Sequence, residues 1–329
     1  MAYDILAIGD TTIDAFIRLK DASVHCDINH ENCMLSMRFA DKIPYEFVEE
    51  VPAVGNAANA AVACARVGLS AAVRVHVGKD ENGTKCIDAF KREGVDTSLI
   101  VSEQNNKTNY HYVLWYEDER TILIKHEHYN YSFPKLMEAP RWIYLSSVAE
   151  GTLSYHLEIA KYLKTQPEVK LAFQPGTFQI KLGTRALKDL YAHTEILFCN
   201  KEESRRILQT KEEDIKTLMQ NIRALCPKIS VITDGRRGAY LQSAEGSWYA
   251  PMYPDPAPPK ERTGAGDATS STIVAYIIKG LPPQEALLRG LINSANVVQE
   301  IGAQKGLLTA AQIDEWYANR PADFKVTQI

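Results

Sequence analysis

Short apolar runs separated by helical patterns constrain this 329-residue chain more than any other feature. Tyr3–Ile8, Ala72–Val77, Trp142–Leu145, Val169–Phe173, Glu195–Cys199 and Ile229–Thr233 read as buried strands. Runs that are apolar at consecutive positions suit strands covered on both faces, as in a parallel sheet. Helical patterns fill the gaps at Ala57–Val67, Gly83–Glu93, Leu153–Leu163, Glu202–Leu208 and Ile215–Leu225. Strand alternating with helix predicts an α/β sandwich. The first helix is built almost entirely of small residues, NAANAAVACARVG, which lets it lie close to a sheet. Gly68 then stands where a glycine would end it.

Two segments break the rhythm. Asp14–Val51 holds a polar stretch rich in Asn, His and Cys. Asn109–His126 reads NYHYVLWYEDERTILIKH, a hairpin pattern turning at Glu117–Arg120, with aromatic and β-branched residues that favour strand. Together they suggest a small β flap on the main body; two ordinary loop excursions are the alternative. A Pro-rich loop occupies Pro251–Pro259, an apolar helix ends at Gly280, and Pro282-Pro283 opens another that runs to about Glu300.

Bulk properties exclude several classes. A net charge of -4 gives no electrostatic footprint for nucleic acid or an anionic membrane. No apolar stretch approaches the roughly 20 residues that a membrane span needs. The start, MAYDILAIGD, reads as a strand rather than a signal peptide, so a cytoplasmic protein is expected. The six cysteines, Cys26, Cys33, Cys64, Cys86, Cys199 and Cys226, form no C-x-x-C pair and read as reduced, packed thiols.

The segment with the most chemistry is Thr263–Asp267, leading into a helix. Gly264 and Gly266 around Ala265 permit a tight turn that leaves backbone N–H groups uncovered. The helix adds its positive end, making an anion hole suited to phosphate. Asp267 would repel a bound phosphate, yet is well placed to take a proton from a hydroxyl attacking one. A capping role at the helix start is an equal alternative on these residues alone.

RTGAGDA resembles the C-terminal signature of the ribokinase-like (PfkB) carbohydrate kinase family. Val54-Gly55-Asn56-Ala57-Ala58-Asn59 resembles its N-terminal signature, and Asn200-Lys201-Glu202-Glu203 its N-x-x-E motif. Thr233-Asp234-Gly235 followed by Gly238 is similar to its nucleotide turn, and Gly9 with Asp14 to the substrate end of its first strand. The resemblance implies a three-layer sandwich with a mostly parallel central sheet and a β-sheet lid. It implies a single kinase domain over 1–329, with the lid near 14–51 and 108–127. Asp267 would be the base, and Gly264, Ala265 and Gly266 would present N–H groups to the transferring phosphoryl. Asp14, Gly55 and Asn59 would bind substrate hydroxyls. Asn200, Thr233, Gly235 and Gly238 would face the nucleotide. Glu203, with Asn200, would order Mg²⁺ through water. ATP is the implied co-substrate.

The chain also departs from that pattern. Val54 replaces the first of two usual glycines, narrowing the approach to the substrate. Glu261 takes the usual Asp position, which bears on a monovalent-cation site near the anion hole. Thr269 replaces an aromatic, and Phe173-Gln174-Pro175 lacks an acidic residue. These departures touch substrate identity more than reaction class.

Other catalytic strings fail. No G-x-x-x-x-G-K-[ST] occurs, and Gly264 and Gly266 follow a loop with Ser270 in the place of a third glycine. His126 and His128 share a strand face and could ligate a metal, but an exposed flap edge is the expectation. Tyr110, Tyr112, Trp115 and Tyr116 could cover a substrate or pair two lids in a homodimer. The reading is ATP-dependent phosphorylation of a sugar hydroxyl. A nucleoside kinase and a catalytically silent sugar or nucleotide binder stand as alternatives.

Overall fold

A computed structural model describes residues 2–27, 33–117 and 119–329. Residues 28–32 of the first excursion and Asp118 of the expected hairpin turn lie outside the described residues.

The apolar runs assemble into one sheet. Ala71–Arg74, Ile5–Ile8, Trp142–Leu145, Lys170–Phe173, Thr194–Asn200 and Ile229–Thr233 lie side by side in that order, each pair parallel. Ala239–Ser243, Gly246–Ala250 and Thr327–Gln328 extend it with antiparallel pairings to nine strands among the described residues. No continuous apolar run announces this extension, because it is covered unevenly. Buried Ala239 and Leu241 alternate with half-covered Tyr240 and Gln242, as an antiparallel strand with one wetter face allows.

The parallel strands are apolar at every position because each face has its own helical layer. Ile5 and Ala7 share a core with the helices Asn56–Arg66, Ala265–Ile278 and Pro283–Val297. Leu6 and Ile8 share another with Leu153–Thr165, Lys201–Leu208 and Ile215–Arg223. Small side chains do what the sequence implied in Asn56–Arg66. Ala57, Ala58, Ala60, Ala61 and Cys64 are fully buried, and the helix packs on both Ile5–Ile8 and Ala265–Ile278.

A separate four-stranded sheet runs Glu119–Leu123, Tyr110–Tyr116, Thr12–Leu19, Tyr45–Val54 in spatial order. Thr12–Leu19 pairs parallel with Tyr110–Tyr116 and antiparallel with Tyr45–Val54. Thr12–Leu19 begins four residues after Ile8, so the first strand of the main sheet feeds this one through a short connection. That connection carries Asp10 and Thr11.

The cysteine expectation is corrected at one place. Cys26 and Cys33 form a disulfide. They stand at the two ends of the loop that joins Ser23–His25 to Met34–Ser36, where the antiparallel pairing of His25 with Met34 brings those ends together. Cys64, Cys86 and Cys199 are buried free thiols, as expected, while Cys226 is free but exposed. Among the described residues no helix is long and apolar enough to cross a membrane.

Candidate active site

The loop before the Ala265–Ile278 helix is pinned from below by Glu261. Its carboxylate is buried and accepts backbone N–H groups from Thr263 at 2.6 Å and Gly302 at 3.0 Å. Gly264 then takes φ +83°, and a Cβ there would run into Ala303. Only glycine meets both demands, a left-handed backbone and contact with the 302–303 turn. The helix starts at Ala265, so the N–H groups of its first turn lack acceptors within the helix.

Those N–H groups border a cleft of about 490 Å³ lined by Asn200, Thr233, Gly235, Gly238, Ala265 and Gly266. Asn200 and Thr233 end adjacent parallel strands and are register partners. Gly238 has φ +93°, and a Cβ would strike the Ala250 carbonyl. Arg262 and Arg120, the latter from the second sheet, add two guanidinium groups to the lining. This mix of exposed N–H groups, glycines and cations suits a polyanion. A larger, more open groove of about 940 Å³ lies alongside. Three of its cations are already paired, Lys201 and Arg205 with Glu213 and Arg237 with Asp234.

Asp267 sits in the first turn of the helix, enclosed by amides. Asn56 Nδ2 donates to its Oδ1 at 2.8 Å, Gln174 Nε2 to Oδ1 at 3.0 Å, and Asn59 Nδ2 to Oδ2 at 2.7 Å. The residue keeps some exposed surface and borders a small cavity, but the protein surrounding the carboxyl strips most of its water. Burial pushes its pKa above the ordinary aspartate value, and the amides of Asn59, Gln174 and Asn56 pull the other way without cancelling it. A carboxylate held as an acceptor with a raised pKa is the form a general base takes.

Asn200 and Glu203 form a reciprocal cap on the Lys201–Leu208 helix. Glu203 N–H donates to Asn200 Oδ1 at 2.7 Å, and Asn200 N–H to Glu203 Oε2 at 2.8 Å. Burial, and after it the charge of Asp267, raise the Glu203 carboxyl. Both residues border a small cavity of about 190 Å³ with Asp267, Gln174 and Gly266. The Glu203 carboxylate and the Asn200 side-chain oxygen at this cavity form an oxygen-only set that fits a hydrated magnesium ion. Among the described residues, no three His, Cys, Asp or Glu gather to hold a metal directly.

Asp14 and Gly55 lie outside both linings and belong to a second cluster. Asp14 is the register partner of His111, and its Oδ1 lies 3.4 Å from His111 Nδ1. Asp10 Oδ2 lies 3.4 Å from His126 Nδ1, and Tyr131 donates to Asp10 Oδ1 at 2.6 Å. Asp10 Oδ2, Asp14 Oδ1, His111 Nε2 and His126 Nδ1 are buried without a hydrogen-bond partner. Gly55 has φ +115°, and a Cβ would lie 2.7 Å from the Asp10 carbonyl. The helix that follows carries Asn56 and Asn59 to Asp267, tying the two clusters together.

Sequence reasoning missed part of this. His126 does not sit on an exposed flap edge: its ring is packed against Phe178 and faces Asp10. The chain has already left the strand, which ends at Leu123. Asn56 and Gln174 were visible, one inside a quoted motif and the other as a missing acid, but their contact with Asp267 spans 211 and 93 residues. Asp10 and His111 carried no local signal.

A family model described as pfkB family carbohydrate kinase matches residues 38–310. A nucleoside kinase of Methanocaldococcus jannaschii is 23% identical over 270 residues, 79% of this chain and 84% of that protein. A ribokinase of Bacillus subtilis is 24% identical over 271 residues, 79% of this chain and 86% of that one. The solved structure of Arabidopsis thaliana ribokinase complexed with ribose and ATP superposes with a TM-score of 0.78 at 18% identity. That match covers 96% of this chain and 98% of the other. At such identity it shows the fold, the ribokinase-like sandwich of a large sheet, two helical layers and a smaller sheet.

Proposed function

This chain belongs to the pfkB family of carbohydrate kinases, phosphotransferases with an alcohol acceptor, and we propose that it moves the γ-phosphoryl of ATP to a hydroxyl of a small sugar. The observation that carries this reading is the placement of Asp267. Its carboxylate stands in the first turn of the helix whose start, Ala265 and Gly266, lines the cleft, and it borders the small cavity that shares Gly266 and Asn200 with that cleft. The nucleotide phosphates would lie in the cleft against Thr233, Gly235, Gly238 and Asn200, with Arg262 and Arg120 nearby. The ATP complex of the Arabidopsis ribokinase supports the same co-substrate.

In this reading Asp267 takes the proton from the acceptor hydroxyl as its oxygen bonds to the γ-phosphorus and the bond to ADP breaks. Gly264, Ala265 and Gly266 present N–H groups to the charge on the transferring group. Glu203 and Asn200 would hold magnesium through water. When bound, that ion offsets phosphate charge. Glu261 is committed to two backbone N–H groups, so a monovalent cation nearby would have to share a carboxylate already in use.

The second cluster favours a hydroxyl-rich acceptor. Asp10 and Asp14 each keep a buried oxygen without a partner, which suits hydroxyl donors and repels an anionic group. Gly55 and Asn59 would complete that pocket. The aromatic residues of the second sheet support a nucleoside less. Trp115 is covered by Arg18 and Phe47, and Tyr110 is bonded to Glu50. The second sheet would act as the lid, with the main body forming one kinase domain. Val48, Tyr112 and Leu123 are exposed on that sheet, and a second copy would cover them in a lid-to-lid dimer. A monomeric mass in small-angle scattering would remove the dimer.

The test of the reading is ADP release with Mg-ATP across neutral sugars, sugar phosphates and nucleosides. Turnover restricted to neutral sugars is expected. Turnover with nucleosides alone would move the acceptor to that class. Tight ligand binding with no ADP release from any acceptor would replace the kinase with a silent binder.

A further inference from the structure

Gln174 stands at the end of the Lys170–Phe173 strand, where the sequence lacks an acid, and its place beside the base gives it a role. We propose that Gln174 is a positioning residue for Asp267, oriented by the acceptor-only carboxylate so that its amide N–H faces Asp267 while its carbonyl is held by the Tyr144 hydroxyl. The proposal rests on the reading of Asp267 as the base.

The argument starts from hydrogen-bond inventory. A glutamine amide offers donors at one end and an acceptor at the other, and can turn over unless neighbours decide its orientation. Here they decide it. Tyr144 donates its hydroxyl proton to Gln174 Oε1, and Ser270 Oγ lies 2.7 Å from the Tyr144 oxygen and 3.3 Å from Gln174 Oε1. Turned over, the amide would set its oxygen against the Asp267 carboxylate and its N–H₂ against the Tyr144 hydroxyl. The carboxylate would then lose a donor and face an acceptor in a site with little water. Tyr144 is fully buried, so solvent offers no substitute.

The same inventory sorts the two carboxylate oxygens. Oδ1 receives both Asn56 and Gln174, which uses its two acceptor sites; Oδ2 receives only Asn59. Gln174 thus leaves Oδ2 as the oxygen with room for the acceptor's proton. The titratable groups facing Asp267 from neighbouring elements are Tyr144 on its strand and Glu203 at the start of its helix. Neither can supply the missing positive partner, so the amides carry the stabilisation of the ionised form.

The experiment is an infrared titration of the Asp267 carboxyl, isolated by subtracting Asp267→Asn spectra, in the wild type, Gln174→Met and Tyr144→Phe. It needs no acceptor. Methionine keeps the length of the side chain, and thermal unfolding run alongside checks that each variant folds. The expected result is a midpoint moved to higher pH in Gln174→Met, with a smaller move in the same direction in Tyr144→Phe. On the acid side of the pH profile turnover should fall by up to roughly tenfold in Gln174→Met, the worth of one hydrogen bond to a charged group, and recover as the pH rises. Midpoints that coincide with the wild type in both folded variants would overturn the proposal. If the midpoints move but Asp267→Asn still turns over at the wild-type rate, the contact stands and the assignment of the base falls.

Discussion

The two clusters joined by the Asn56–Arg66 helix are built in opposite ways. The proposed phosphoryl end centres on consecutive residues, Glu261 to Asp267, whose tools are backbone N–H groups and a helix start. The acceptor end is made of side chains brought from afar. Tyr131 reaches Asp10 across 121 residues, and His111 meets Asp14 only because two strands of the second sheet lie in register. A backbone device tolerates little change, since glycine alone fits Gly264, whereas a side-chain device can be altered one residue at a time. Under the proposed function, the first end would fix the reaction and the second would choose the acceptor.

Variants at the two ends should therefore fail differently. The largest effect is expected from Asp267→Asn, where loss of the base should lower turnover by about 10²–10⁴-fold. ATP affinity, read by calorimetry, should stay near the wild-type value. Next comes Gly264→Ala. A side chain there meets Ala303 in a left-handed backbone, and the strain should lower stability by about 1–3 kcal/mol in denaturant titrations while reducing turnover with every acceptor. An unchanged unfolding midpoint would mean the loop is looser than its packing implies.

At the acceptor end, Asp14→Asn and His126→Gln should raise the acceptor KM by about tenfold, the loss of one hydrogen bond between partly charged groups. The KM for ATP should not move. Equal changes in both constants would erase the division between the ends. The smallest effect is in pH. Burial raises Asp267 above the ordinary aspartate value of about 3.9, and a base works only when ionised. The rate should thus fall, as the pH drops, at a higher pH than an exposed aspartate would give. For stability the sign is opposite to that of a paired carboxylate. A raised folded pKa means the native state holds its proton longer than the unfolded chain. This group's contribution is therefore most favourable at acid pH and is lost as the pH rises through the folded pKa.

The same division explains what could be read from the sequence. Consecutive apolar residues revealed the six parallel strands, because burial on both faces leaves a continuous run. The uneven antiparallel extension from Ala239 to Ala250 left none. In the site, Gly264, Ala265, Gly266 and Asp267 were legible because their chemistry is local. Gln174 was noticed only for the acid it replaces, and Asp10 and His111 not at all, since nothing nearby in the chain announces a partner about a hundred residues away. His126 was expected at an exposed flap edge, because nothing in the local sequence announces its packing against Phe178 and Asp10. The Cys26–Cys33 disulfide went unread because an absent C-x-x-C spacing says nothing about the two ends of a hairpin loop.

The most direct measurement follows the label from γ-labelled ATP in the wild-type enzyme, with and without a neutral sugar that supports ADP release. The account predicts label on a sugar hydroxyl, at a rate that collapses in Asp267→Asn. Label found only in inorganic phosphate, at the same rate whether or not the sugar is present, would contradict it.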